Sequence, residues 1–134
     1  MLIEEHIQYW IESADSDLDT AEALFSAEKY DWCLFLGHLV LEKLLKAHYV
    51  RDNGNKMPPR IHNLIKLSEK TKIILTDDQK EFLNTVTDFN LEVRYPEYKR
   101  GFQRKCTREF CEKTFSEIKE SYKWLKSQNG RLVE

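Results

Sequence analysis

The chain has 134 residues, 41% of them hydrophobic and 33% charged, with 4 Gly, 3 Pro and a formal net charge of -2. That size fits one domain, and such a domain buries roughly 65–70% of its unfolded surface, so it needs no metal or disulfide staple. The composition excludes a disordered chain and a Gly-rich sandwich, and the near-zero net charge points to no particular partner.

The opening residues, MLIEEHIQYW, carry acids where a secretory leader carries bases. No run approaches the ~20 apolar residues that span a bilayer, so a cytoplasmic protein without membrane contact is expected. Three cysteines form no C-x-x-C pair. Cys106 and Cys111 would lie about 140° apart around a helix and cannot share a metal-binding face. Three reduced thiols are expected, with Cys33 and Cys111 as small core residues, no metal and no cofactor.

The first predicted helix covers about residues 3–27. Ile3, Ile7, Trp10, Ile11, Ala14, Leu18, Ala21, Leu24 and Phe25 recur at steps of three and four and line one face. A second helix, about 31–51, begins with Asp31 as its expected N-cap. Its sequence DWCLFLGHLVLEKLLKAHYV is apolar on nearly every side, which places it at the centre of a bundle or in an interface. Gly37 costs about 1 kcal/mol of helix preference against Ala, so a close helix approach is expected there.

RDNGNKMPPR then breaks the helix, with Asn53-Gly54 and Pro58-Pro59 as turn signals. A short helix is expected from about Ile61 to Lys70, with Leu64, Ile65 and Leu67 inward. Thr76 followed by Gln79 is a capping box, opening a helix of about 77–92 whose buried stripe is Phe82, Leu83, Val86 and Phe89. Pro96 ends it near Tyr95. A basic connection, about 94–104, leads to a last helix of about 105–127, with Phe110, Cys111, Thr114, Phe115, Ile118, Tyr122 and Leu125 on its core face. Residues from about 128 are expected to fray. The fold class that follows is all-α: one domain, an antiparallel up-and-down four-helix bundle with one additional short helix.

Charge is uneven. Residues 1–31 hold Glu4, Glu5, Glu12, Asp15, Asp17, Asp19, Glu22, Glu28 and Asp31 against Lys29 alone, whereas residues 94–108 hold Arg94, Lys99, Arg100, Arg104, Lys105 and Arg108 against Glu97 alone. The basic stretch meets either an acidic partner or the acidic half of a neighbour.

Several residues are candidates for chemistry. Glu42 and Lys46, at i and i+4, read as a surface ion pair; in the sharper reading Lys43 or Lys46 rims an anion site. Leu91 to Tyr98 places Arg94 at a helix end beside a locked turn with Tyr95, Glu97, Tyr98 and then Lys99. Arginine offers phosphate a planar fork and tyrosines stack on bases. The competing reading makes Arg94 a helix cap and Tyr95 a core filler. His62 is expected to cap the short helix, and His38 and His48 stand too far apart for a chelating pair. There is no Ser/His/Asp array, glycine-rich phosphate loop or H-E-x-x-H.

Ala14, Asp17 and Ala21 resemble the A-x-x-D-x-x-x-A pattern of the HEPN family. Glu28 to Trp32 looks like that family's turn into its second helix, and Leu41-Glu42-Lys43-Leu44-Leu45-Lys46-Ala47 is similar to its E-K-x-L-K-A signature. Pro59-Arg60-Ile61-His62-Asn63-Leu64 with Leu67 resembles T-H-D-L-x-x-L, and Arg94-Tyr95-Pro96 resembles R-Y-P. The resemblance implies a helical bundle that dimerises through its helices. It also implies a link to nucleotides or RNA, often beside a minimal nucleotidyltransferase in a toxin–antitoxin pair. Many members are ribonucleases in which an arginine is followed four to six residues later by histidine. In this chain no histidine lies beyond position 62. The first expectation is therefore a non-catalytic dimer that binds a nucleotide, RNA or a nucleotidyltransferase through the Arg94–Tyr98 region. The alternatives are a metal-independent ribonuclease pairing Arg94 with a substitute such as Tyr98 or Lys99, and a purely structural interaction dimer.

Overall fold

The computed structural model describes residues 1–127, and the expected frayed tail lies outside them. The described residues form six helices: α1 (Ile3–Ser26), α2 (Tyr30–Asp52), α3 (Leu64–Ser68), α4 (Asp77–Glu92), α5 (Pro96–Lys105) and α6 (Arg108–Ser127). The architecture is the all-α bundle expected, with α1, α2, α4 and α6 as its long members. None of the described helices is long and apolar enough to cross a membrane.

The organising element is α2. A helix apolar on all sides is stable in water only if other elements cover it, and α2 packs against every other helix. Leu34, Val40, Leu41, Leu44, Leu45 and Ala47 are fully buried along it. Gly37 marks a close approach to α6, since a Cβ there would stand 2.7 Å from Ile118 Cδ1. The capping box of α4 is formed as read, with Thr76 accepting from the Gln79 amide and the Gln79 side chain accepting from the Thr76 amide.

Four local expectations are corrected. The basic connection is mostly helix, because Pro96 stops α4 and then serves as the preset first residue of α5. Phe102 is the apolar anchor of α5, its ring tilted against Phe89 of α4 with centroids 5.3 Å apart, while Arg100, Arg104 and Lys105 stay outside. The helix after it accordingly starts at Arg108, where Thr107 accepts from the Phe110 amide. The short helix spans only five residues. Asp31 is not the N-cap of α2 but lies in its first turn behind Lys29, half of a contact with Gln103 of α5 at 3.3 Å.

Candidate functional site

The first feature lies where the start of α2 meets the start of α5. Arg94 stands over the Phe35 ring, 5.2 Å from its centroid, and Lys99 over the Trp32 ring at 5.3 Å. Trp32 and Phe35, one helical turn apart, meet edge to face at 5.8 Å. Two cations therefore rest on one aromatic pair. Phe35 is buried, but Trp32, Tyr95 and Tyr98 are exposed, Tyr95 and Tyr98 by about half. The Tyr95 ring does not fill the core; Tyr95 is the N-cap residue of α5, and its carbonyl accepts from the amides of Tyr98 and Lys99. Glu97 is exposed in the first turn of α5, where an acid suits the positive end of the helix dipole. Arg100, Arg104 and Lys105 extend the basic surface along α5.

The second feature is a polar cluster in the middle of α2. Glu42 is 4% exposed and Lys46 8%, so the expected surface pair is a buried one, with Lys46 Nζ donating to Glu42 Oε2 at 3.1 Å. The other carboxylate oxygen, Oε1, accepts from His62 Nδ1 at 2.8 Å. His38 is fully buried; its Nε2 donates to the His62 carbonyl at 2.9 Å and lies 3.9 Å from Glu42 Oε1. His38 Nδ1 is buried without a partner. Burial pulls the His38 imidazole below its ordinary range, against its hydrogen bond to His62, and the Arg94 charge pushes the same way as burial. The neutral ring thus donates through Nε2 and leaves the Nδ1 lone pair unused.

His62 does not cap α3. Asn63 does, accepting from the Lys66 amide at 3.0 Å. His62 instead lies across α2, its side chain 46% exposed above the buried Glu42.

Not all sequence-derived candidates converge. Arg94 and Lys99 meet on the Trp32–Phe35 pair, whereas Tyr95 and Tyr98 are exposed in the same chain segment. Lys43 is turned toward α1, paired with Asp17 at 2.6 Å. Lys46 is held by Glu42 and lies 5.3 Å from the Trp10 ring centroid, so neither lysine rims that face. Sequence reading missed Trp32, Phe35, His38 and the Glu42–His62 pair. For His38 and Glu42 the early signal is polar residues inside an apolar helix; Trp32 and Phe35 read only as part of its apolar girth.

His48 and the three cysteines lie in the packed interior. His48 Nε2 donates to the Leu125 carbonyl at 2.6 Å, and Arg51 donates to its Nδ1 at 2.9 Å. All three cysteines are buried and unbridged; burial pushes the Cys106 thiol up to about 12. Among the described residues, no group of three or more His, Cys, Asp or Glu side chains could hold a metal ion.

A family model described as the HEPN domain matches residues 7–128, which includes every residue of both features. No curated protein and no solved structure matches the chain.

Proposed function

The chain belongs to the HEPN family, and from that premise we propose that it is a homodimer that binds RNA or a nucleotide on the α2–α5 face. The observation that carries this reading is the aromatic pair Trp32–Phe35 beneath Arg94 and Lys99, with Tyr95 and Tyr98 exposed in the segment that carries the two cations. Phosphates need cations that keep donors free, and unstacked bases need aromatic faces. This surface offers both within two helical ends. A guanidinium lying on a ring is preset in direction, so less entropy is lost when its fork meets a phosphate.

The partner in this reading is a minimal nucleotidyltransferase, the pair acting as toxin and antitoxin. The uneven charge fits it, since the acidic residues of α1 lie on a different helix from the basic α5.

The test is fluorescence anisotropy of a labelled single-stranded oligoribonucleotide with wild-type protein and Arg94→Ala. Loss of one phosphate contact and its stacking partner is expected to weaken binding about tenfold, or ~1.4 kcal/mol. Equal affinity of the two proteins would remove the site. A dimer mass by light scattering at micromolar concentration is expected, and a monomer mass there would sink that part of the reading.

A further inference from the structure

α4 and α6 both rest on α2, with little direct packing between them. Where the start of α4 passes the second half of α6, a solvent-open groove of about 540 Å³ is left. Its floor is apolar. Leu83 is buried there, while Phe82 and Trp124 pack on the core with part of their rings and leave the rest to the groove. Glu117, Glu120, Ser121 and Trp124 stand at i, i+3, i+4 and i+7, so one face of α6 supplies a wall ~10 Å long.

The rim is acidic. Asp78 of α4 and Glu117 and Glu120 of α6 line the groove, and no Lys or Arg does. Among the described residues these three carboxylates make no ion pair, although Lys113 and Lys123 stand within about a turn of them on α6. On α1, by contrast, Asp15, Asp17 and Glu22 each face a lysine. Uncompensated carboxylates around half-buried rings repel phosphate, which argues against nucleic acid and anionic lipid as the occupant. A second copy docked about a twofold axis would set the same acids against one another. What the groove suits is an apolar surface edged with positive charge.

We propose that the α4–α6 groove docks a basic amphipathic helix of a partner protein. The partner's apolar stripe lies on Phe82, Leu83 and Trp124, and its lysines or arginines meet Asp78, Glu117 and Glu120. A helix presents side chains at i, i+4 and i+7 over ~10 Å, the length of the α6 wall. Trp124 is the anchor, since a tryptophan half sunk in a groove loses little freedom on binding and much water-exposed surface. The acids set register and speed encounter. The groove shares no residue with the α2–α5 face, so the inference stands apart from the RNA reading. Glu4, Glu5 and Glu12 form a second acidic surface, but they flank Tyr9 on α1 alone, with no second wall.

The experiment uses the full chain and a labelled peptide of roughly 18 residues, five helical turns. Its leucines fall on one helical stripe among lysines and alanines, and a control peptide of the same composition scatters the leucines. By fluorescence anisotropy the striped peptide is expected to bind saturably and about tenfold tighter than the control. Glu117→Lys with Glu120→Lys is expected to weaken it about tenfold or more. Both side chains reach solvent, so this variant is expected to fold, and a thermal melt checks that. Unlabelled striped peptide is expected to shift tryptophan emission to the blue in wild type and not in Trp124→Phe, since Trp10 and Trp32 lie elsewhere. Equal binding of the two peptides overturns the proposal, as does binding that survives the charge reversal or is lost instead in Glu4→Lys with Glu5→Lys. Absence of binding overturns it outright, and a dimer mass lost in the charge-reversed variant would give the groove to a second copy.

Discussion

The His48 imidazole, near the end of α2, donates to the Leu125 carbonyl of α6 at 2.6 Å, tying the two helices together away from the proposed site. Burial lowers its pKa to about 4. The unfolded chain binds this proton near pH 6.5 and the folded chain only near 4, so stability rises with pH between those values. The contribution is fully present above about pH 6.5 and is lost as the pH falls to about 4, amounting to roughly 3 kcal/mol. Denaturation midpoints at pH 7 and pH 5 are expected to differ markedly in the wild type and less in His48→Gln. An identical acid loss in both would refute the assignment.

The Glu42–Lys46 pair is buried, so breaking it is expected to cost more than replacing it. Glu42→Leu leaves an ammonium group uncompensated in the core and is expected to cost about 3 kcal/mol or more. Glu42→Leu with Lys46→Met is expected to recover most of that loss. Urea unfolding of the two variants checks it, and a double variant no more stable than the single one would contradict the burial.

Gly37 and Ile118 are expected to be coupled. Gly37→Ala gains up to about 1 kcal/mol of helix preference but presses on Ile118 Cδ1. Ile118→Val removes that atom, so Gly37→Ala should be more favourable in the Ile118→Val background by about 0.5–1 kcal/mol. Simple additivity of the two changes would show that the helices part without cost.

Salt titration separates contact types on the α2–α5 face. Arg94→Ala and Lys99→Ala are each expected to reduce the slope of log K against log salt by about 0.7, one phosphate on a single strand. Trp32→Ala is expected to weaken binding by about 1–3 kcal/mol without changing that slope. A slope change in Trp32→Ala alone would reverse the roles.

The long helices were legible because each rests on local chemistry: a stripe at steps of three and four, a capping box at Thr76, and the apolar girth of α2. The α5 helix was not. Phe102, its one buried side chain among the described ones, gives no periodic stripe, and Pro96 signals an ending and a beginning alike. In the site, Arg94, Tyr95, Tyr98 and Lys99 were found from composition and turn chemistry. Their aromatic floor was hidden, because Trp32 and Phe35 lie about sixty residues upstream and only the fold joins them. The i, i+4 spacing of Glu42 and Lys46 is the same on a wet face as on a dry one. Their burial was therefore set by α2's neighbours, and the reach of His62 to Glu42 spans 20 positions.

Because α2 touches all five other helices, it has no private way to unfold: freeing its amides means undoing the whole molecule. α5 is different. It is anchored by one tilted ring contact and a few contacts across to α2. In hydrogen exchange, α2 should be the slowest element and α5 among the fastest, so the proposed ligand would meet a fixed floor under a lid that opens on its own.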